Sequence, residues 1–256
     1  MHSLKDKIVC ITGASSGIGA ACAEEFAALG AHLLLIARRR ERIESLSQQL
    51  RSAHYIRTHA LALDVRRRAD VEAAFASLPE EWKRIDVLVN NAGLARGLAK
   101  LHEGNIDDWE EMIDTNNKGL LYVTRCVLPG MIERNAGHVI NIGSIAGHQT
   151  YPMGNVYCAT KFFVVGLTRA LRMDVLGTNV RVTCVDPGLV ETEFSRVRFR
   201  GDAERAAKTY QGMTPLTGHD VAEVVVFCAT RAPHVNISEV QLTPTDQASV
   251  TMVHRK

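Results

Sequence analysis

The chain has 256 residues, 46% of them hydrophobic and 23% charged, with a formal net charge of +2 at pH 7. These proportions exclude a disordered or fibrous chain, and so balanced a charge gives no reason to expect nucleic acid or an anionic membrane as the main partner. The apolar run at 33–37 is far too short to span a bilayer, and residues 1–7 lack the apolar core of a signal peptide, so a cytoplasmic protein is expected.

Short apolar, β-branched runs then alternate with longer helical patterns. Residues 7–12 predict a strand and 17–29 a helix that stops at Gly30. A strand at 31–37 precedes a helix at 39–51, and further strands are expected at 57–63, 85–89, 138–142 and 179–185. A long helix at 109–132, capped by Asp107 or Asp108, is followed by others at 155–176 and 221–230 and by a last short strand at 239–242. The least regular stretch, 187–217, carries Pro187, Pro215 and several Gly and Arg residues. It reads as a mobile cover over a site, a substrate lid around 189–217. No Pro/Gly/Ser-rich linker divides the chain, so one domain over 1–256 is expected. Its class is α/β, a parallel sheet with helices on both faces, doubly wound if the crossovers are right-handed.

The six cysteines, Cys10, Cys22, Cys126, Cys158, Cys184 and Cys228, are scattered without paired ligand spacing. They read as small buried hydrophobes in a reducing compartment. The ten histidines show no clustered spacing either, and no required metal is expected.

The first strand runs into Thr12-Gly13-Ala14-Ser15-Ser16-Gly17-Ile18-Gly19 and then a helix. Glycines let the backbone turn tightly and approach a pyrophosphate, and the helix start presents unpaired N–H groups and partial positive charge. Gly13, Ser15, Ser16, Gly17, Ile18 and Gly19 are therefore candidate cofactor residues. An NAD site ordinarily places a carboxylate about twenty residues further on, for the ribose 2′-hydroxyl. This chain has Arg38 and Arg39 there. Guanidinium groups suit a 2′-phosphate, so NADP(H) is the expected cofactor. Asp64 and Val65 follow the third strand, where a carboxylate can accept from the adenine amino group. Asn91, Ala92 and Gly93 follow the fourth, where small residues leave room for adenosine and ribose.

Tyr157 and Lys161 lie four residues apart in a helical pattern, on one face. A phenol with a pKa near 10 must come down to about 7 to exchange a proton near neutral pH; a neighbouring ammonium favours phenolate, and an oxidised nicotinamide cation would add to that. The pair suits acid–base work at a carbonyl or alcohol oxygen. Ser144, at the end of the 138–142 strand, can hydrogen-bond the same oxygen, and the amide of Asn116 can hold a water linking Lys161 to solvent.

Together these residues resemble the Asn–Ser–Tyr–Lys tetrad of the short-chain dehydrogenases/reductases, and the similarity extends from Thr12–Gly19 through Asn90–Gly93 to Pro187, Gly188, Val190 and Thr192. The resemblance implies a single-domain Rossmann-like fold and hydride transfer between a nicotinamide and a substrate carbon. Tyr157 would be the acid–base, Lys161 would lower its pKa and bind the nicotinamide ribose, and Ser144 would orient substrate. Asn116 would hold the relay water, and Pro187 to Thr192 would lie by the nicotinamide. One small difference is Asp186 before Pro187, where the family often has Asn or Glu.

The strings at 114–119, 193–198 and 233–237 resemble a branch of NADP-dependent 3-hydroxy acid dehydrogenases, whose members oxidise serine and L-allo-threonine. A small hydroxy acid or carbonyl substrate and a homotetramer paired through the two long helices follow from that resemblance. The alternatives are a broad NADPH-dependent carbonyl reductase, a catalytically silent NADP-sensing protein, and a structural oligomer module. Arg196, Arg198 and Arg200, at alternate positions, and Arg96 are candidate cations for a substrate carboxylate, and they read equally well as solvated surface charges.

Overall fold

The computed structural model describes residues 2–256. Seven strands form one parallel sheet in the order β3-β2-β1-β4-β5-β6-β7. They are β1 (Ile8–Thr12), β2 (His32–Ala37), β3 (Thr58–Ala62), β4 (Val87–Asn90), β5 (Gly137–Ile142), β6 (Val180–Pro187) and β7 (Glu239–Leu242). Strand order runs outward from β1 in one direction and from β4 in the other. The carboxyl ends of these two neighbours therefore open a crevice at the reversal point, where open α/β sheets bind ligands.

Alternate residues of one strand enter opposite layers. Val9 and Ile11 of β1, with Leu33 and Leu35 of β2, pack against α1 (Gly17–Ala28), α2 (Arg40–His54) and the late helix 218–229. Cys10, Leu34 and Ile36 face the other layer, with α3 (Arg68–Ala76), α4 (Glu80–Lys83) and the long helices. Burial on both faces explains why β2 is apolar throughout rather than alternating.

The expected helix at 109–132 is a composite. α5 (Ile106–Ile113) passes through a π-helical stretch, Asp114–Gly119, into α6 (Leu120–Glu133). Its cap is Asn105, not Asp107 or Asp108. Asn105 Oδ1 accepts from the N–H groups of both aspartates, at 2.8 and 3.3 Å. The aspartates occupy the first turn instead, where negative charge suits the helix dipole. α7 (Asn155–Asp174) follows β5.

The stretch after β6 is less irregular than its composition suggests. It folds into α8 (Phe194–Arg198) and α9 (Ala203–Lys208) before α10 (Gly218–Ala229), and an Asp202 side-chain cap starts α9.

Candidate active site

The glycine turn joins β1 to α1, and each glycine answers a separate demand. Gly13 has φ +67°, and a Cβ there would lie 2.8 Å from Asn91 Nδ2. Gly17 has φ +56° and faces Thr192, 3.1 Å away from where its Cβ would stand. A side chain on Gly19 would run into Gly13 O. The β4 turn is tied to this one: Thr12 Oγ1 accepts from the N–H groups of Asn91 and Ala92, each at 3.0 Å, and Asn91 Nδ2 donates to Thr12 O at 2.9 Å. Asn91 is thus a brace across the crevice. Ser16, the α1 N-cap, makes no side-chain cap bond, so the helix start keeps its N–H groups for a ligand.

Arg39 closes the turn's outer end. Its Nη2 donates to Ser16 Oγ at 2.6 Å and Ser15 Oγ at 2.9 Å, and a carboxylate, that of Glu193, already sits on its Nη1 at 2.7 Å. An anion fits this cradle, as a 2′-phosphate requires. Arg38 is more exposed and has only a long contact, 3.9 Å, to Glu111. Asp64 is held by Arg66, with Nη2 to Oδ2 at 2.6 Å, and the Arg66 bonds keep its carboxyl below the usual range despite partial burial. Val65 packs beneath Gly119.

A cavity of about 390 Å³ opens beside the turn, within the usual range for small-molecule sites. Gly13, Gly17, Ile18 and Gly93 line it together with Ser144, Tyr157 and Lys161. Pro187, Gly188, Val190 and Thr192 reach it from the end of β6. The sequence scatters these groups over most of the chain, and the sheet order gathers them at one crevice.

Ser144 caps a short 3-10 turn by accepting from Ala146 N at 3.1 Å, and its own N–H donates to Asp186 Oδ1 at 3.0 Å. Lys161 Nζ donates to Ile142 O at 3.0 Å, and burial pushes its ammonium down to about 8. Tyr157 is buried too, and desolvation raises its hydroxyl above the ordinary tyrosine range, while Ser144 and Arg198 pull it partly back. The ammonium of Lys161, expected to lower this phenol together with an oxidised nicotinamide cation, is not among the groups that pull it down here. Lys161 spends a donor on Ile142, and among the protein groups around Tyr157 desolvation is the largest influence on its hydroxyl.

Asn116 lies in the π stretch. Its Nδ2 donates to Leu94 O at 2.9 Å and Thr160 Oγ1 at 3.0 Å, and its Oδ1 accepts from Leu94 N at 2.8 Å. Both amide hydrogens are taken, so a relay water has only an Oδ1 lone pair to use. Asn116 also braces the segment that carries Lys161.

The four candidate carboxylate-binding arginines separate clearly. Arg96 is satisfied by Glu111 at 2.6 Å and Val197 O at 2.5 Å. Arg200 pairs with Asp108, and Arg196 is exposed. Arg198 alone lines the cavity. It donates from Nε to Gly97 O at 3.1 Å and from Nη2 to the Tyr151 hydroxyl at 2.8 Å, leaving Nη1 without a hydrogen bond among the described residues. Tyr151 and Phe194, which packs edge-on against Tyr157 with ring centres 5.8 Å apart, also face the cavity. The sequence did not mark Tyr151, and it marked Phe194 only as part of the 193–198 string.

Sequence spacing also gave no sign of a cluster behind Ser144. His148 Nε2 lies 3.2 Å from Asp186 Oδ2 and 3.8 Å from Glu239 Oε1. Arg169 already supplies Glu239 with a cation at 3.0 Å, so these groups form a charge network linking α7, β6 and β7. The six cysteines are free, and burial raises the thiols of Cys158 and Cys184.

Residues 7–203 match the family model for short chain dehydrogenases. The chain belongs to the short chain dehydrogenase family. Within it, the chain is 52% identical over 250 residues to the NADP-dependent 3-hydroxy acid dehydrogenase YdfG of Salmonella typhimurium, spanning 97% of this chain and 99% of that one. It is 46% identical over 242 residues to sulfoacetaldehyde reductase 2 of Chromohalobacter salexigens, covering 94% and 95%. Among solved short chain dehydrogenases, the closed form of serine dehydrogenase complexed with NADP+ superposes with a TM-score of 0.90 at 50% identity, covering 97% of this chain and all of that one. No helix among the described residues is long and apolar enough to cross a membrane.

Proposed function

We propose that this chain is an NADP-dependent dehydrogenase of small 3-hydroxy acids, such as serine or L-allo-threonine. The observation that carries the reading is Arg198, which lines the same cavity as Tyr157 and the glycine turn and whose Nη1 has no hydrogen bond among the described residues. A carboxylate on that guanidinium would leave the hydroxyl-bearing carbon beside the phenol. The names of the similar proteins agree with NADP and with a hydroxy acid.

When bound, the nicotinamide accepts or supplies the hydride. Gly13, Gly17, Ile18 and Gly19, with the N–H groups at the α1 start, would hold the pyrophosphate, and Arg39, Ser15 and Ser16 the 2′-phosphate. Arg38 lies beside them. Gly93, Pro187, Gly188, Val190 and Thr192 would line the path toward the nicotinamide, with Asn91 and Ala92 fixing its wall and Asp64–Val65 the adenine end. Tyr157 Oη takes the alcohol proton in oxidation and returns it in reduction. Ser144 Oγ orients the substrate oxygen. Lys161, cationic below about pH 8, donates to the ribose and passes the proton outward, past Asn116. Residues 189–217 act as the lid, within a single domain over 1–256.

The exposed apolar side chains Ile113, Leu121 and Ile132 on α5–α6, with Phe162 and Phe163 on α7, support assembly into a homotetramer through these helices, which light scattering would measure. Six free thiols support a cytoplasmic site of action.

The sulfoacetaldehyde reductase relative favours one second reading, since Arg198 would equally take a sulfonate. Initial rates with NADP and serine, L-allo-threonine, 3-hydroxybutyrate, 2-hydroxyethanesulfonate and neutral secondary alcohols separate the cases. A preference for carboxylates supports the proposal. A preference for neutral alcohols supports a broad carbonyl reductase, and tight NADPH binding with no turnover supports a silent sensor.

A further inference from the structure

The lid carries a carboxylate into the place prepared for the cofactor's phosphate. Glu193 follows Thr192 directly and stands at the start of α8. Its Oε2 accepts from Arg39 Nη1 at 2.7 Å, and its Oε1 accepts from Arg42 Nη1 at 2.7 Å. The same Arg39 guanidinium is seated on Ser15 and Ser16 by its other nitrogens. Two guanidiniums and two hydroxyls therefore converge where a phosphomonoester would bind, and one oxygen of a side chain more than 150 residues away, by the separation of 154 between Arg39 and Glu193, already uses the central cation.

The two pairs hold the Glu193 carboxyl down to about 2, so it is ionised at any working pH. A phosphomonoester at pH 7 carries close to two negative charges. Like charges sharing one guanidinium repel each other, so a 2′-phosphate and the Glu193 carboxylate exclude one another on Arg39 Nη1. NAD, which has a hydroxyl in that place, has no such conflict.

Resting on the NADP reading above, we propose that Glu193 is a specificity-determining residue that acts as an internal competitor for the 2′-phosphate site and ties the lid to the occupancy of that site. With Arg39 paired to Glu193, the lid segment is fastened across the outer end of the glycine turn, against which Thr192 also packs at Gly17. Arrival of the phosphate takes Arg39 and releases Glu193, and with it the start of α8. Departure of the cofactor is assisted by the return of the carboxylate. Glu193 therefore lowers NADP(H) affinity and limits the preference for NADP over NAD that Arg39 would otherwise impose.

The test is an equilibrium titration of the full chain with NADPH and NADH, read by nicotinamide fluorescence, for the native protein, Glu193→Gln and Glu193→Ala. Hydrogen exchange of residues 189–208 without cofactor is measured alongside. Both ion pairs are partly solvated, so the expected tightening of NADPH is about threefold to tenfold, with NADH changed less than about twofold. Lid amides should exchange faster in both variants. Unchanged or weaker NADPH binding in both variants, in a native protein that still prefers NADPH, overturns the role of Glu193 and leaves the NADP reading standing. Equal binding of NADH and NADPH by the native protein overturns the NADP reading itself, and this inference with it.

Discussion

The guanidinium carbon of Arg198 lies 5.5 Å from the ring centre of Tyr157. The 189–217 segment, which carries Arg198, is therefore in direct contact with the residue assigned to proton transfer. Arg198 also lines the cavity, and its Nη1 has no hydrogen bond among the described residues.

Replacing Arg198 with Ala should raise KM for hydroxy acids by about 10- to 100-fold, the loss of a charge-assisted hydrogen bond. A neutral secondary alcohol should change by less than about threefold in kcat/KM, since it has no charge for Arg198 to pair. Arg198→Lys should recover only part of the loss, because an ammonium lacks the planar fork that reaches Gly97, Tyr151 and a ligand together. Steady-state kinetics on the two substrate types checks this.

Arg39 and Arg38 are not equivalent. Arg39 is fixed by two serine hydroxyls and Glu193, whereas Arg38 has one contact at 3.9 Å. Arg39→Ala should erode the NADP-over-NAD ratio in kcat/KM by at least about tenfold. Arg38→Ala should have a smaller effect, on the scale of an exposed ion pair. An equal loss in the two variants would mean that both guanidiniums grip the phosphate.

Lys161 offers a prediction about stability and its sign. Burial lowers its folded pKa to about 8, below the unfolded value near ~10.4, with Cys184 and Asp186 offsetting only part of that cost. Between these values the unfolded chain binds the extra proton, so this group's contribution to stability rises with pH across the window and is unfavourable below about 8. Lys161→Met should therefore be more stable than the native protein at pH 7, by up to a few kcal/mol (roughly 1.4 kcal/mol for each tenfold loss of proton affinity), and the gain should shrink by pH 10. The same variant should lose activity. Urea denaturation of the cofactor-free protein at both pH values checks it.

Much of this site was legible in the chain. The glycine turn could be read because positive φ and close backbone approach admit almost nothing else at Gly13 and Gly17. The strands could be read because burial on both faces leaves unbroken apolar runs such as 33–37. Tyr157 and Lys161 could be paired because a helix puts residues four apart on one face. What stayed hidden depends on tertiary placement. α3 and α4 were missed because short, charged segments such as 68–76 and 80–83 bury only Val71, Phe75 and Trp82 and so show little periodicity. The π stretch at Asp114–Gly119 escaped because one widened turn barely disturbs a helical pattern. The alternate spacing of Arg196, Arg198 and Arg200 could not say which one turns inward, because Phe194–Arg198 folds into a helical turn and not an extended segment. His148, Asp186 and Glu239 come from three separate elements, and Glu193, after β6, meets Arg39, after β2, although β1, β4 and β5 lie between those strands. Such meetings are set by strand order rather than by local pattern.

Tyr157 is assigned to move the proton when a 3-hydroxy acid is oxidised with NADP, and every other role in the site depends on that step. The most direct measurement is the rate of NADPH formation from L-allo-threonine by the native protein and by Tyr157→Phe, together with the NADPH dissociation constant of each. Turnover by the native protein is expected, with a loss of at least about 100-fold in the variant and dissociation constants within a few fold of each other. A variant that keeps the native rate, or a native protein that reduces NADP with no hydroxy acid, would contradict the assignment.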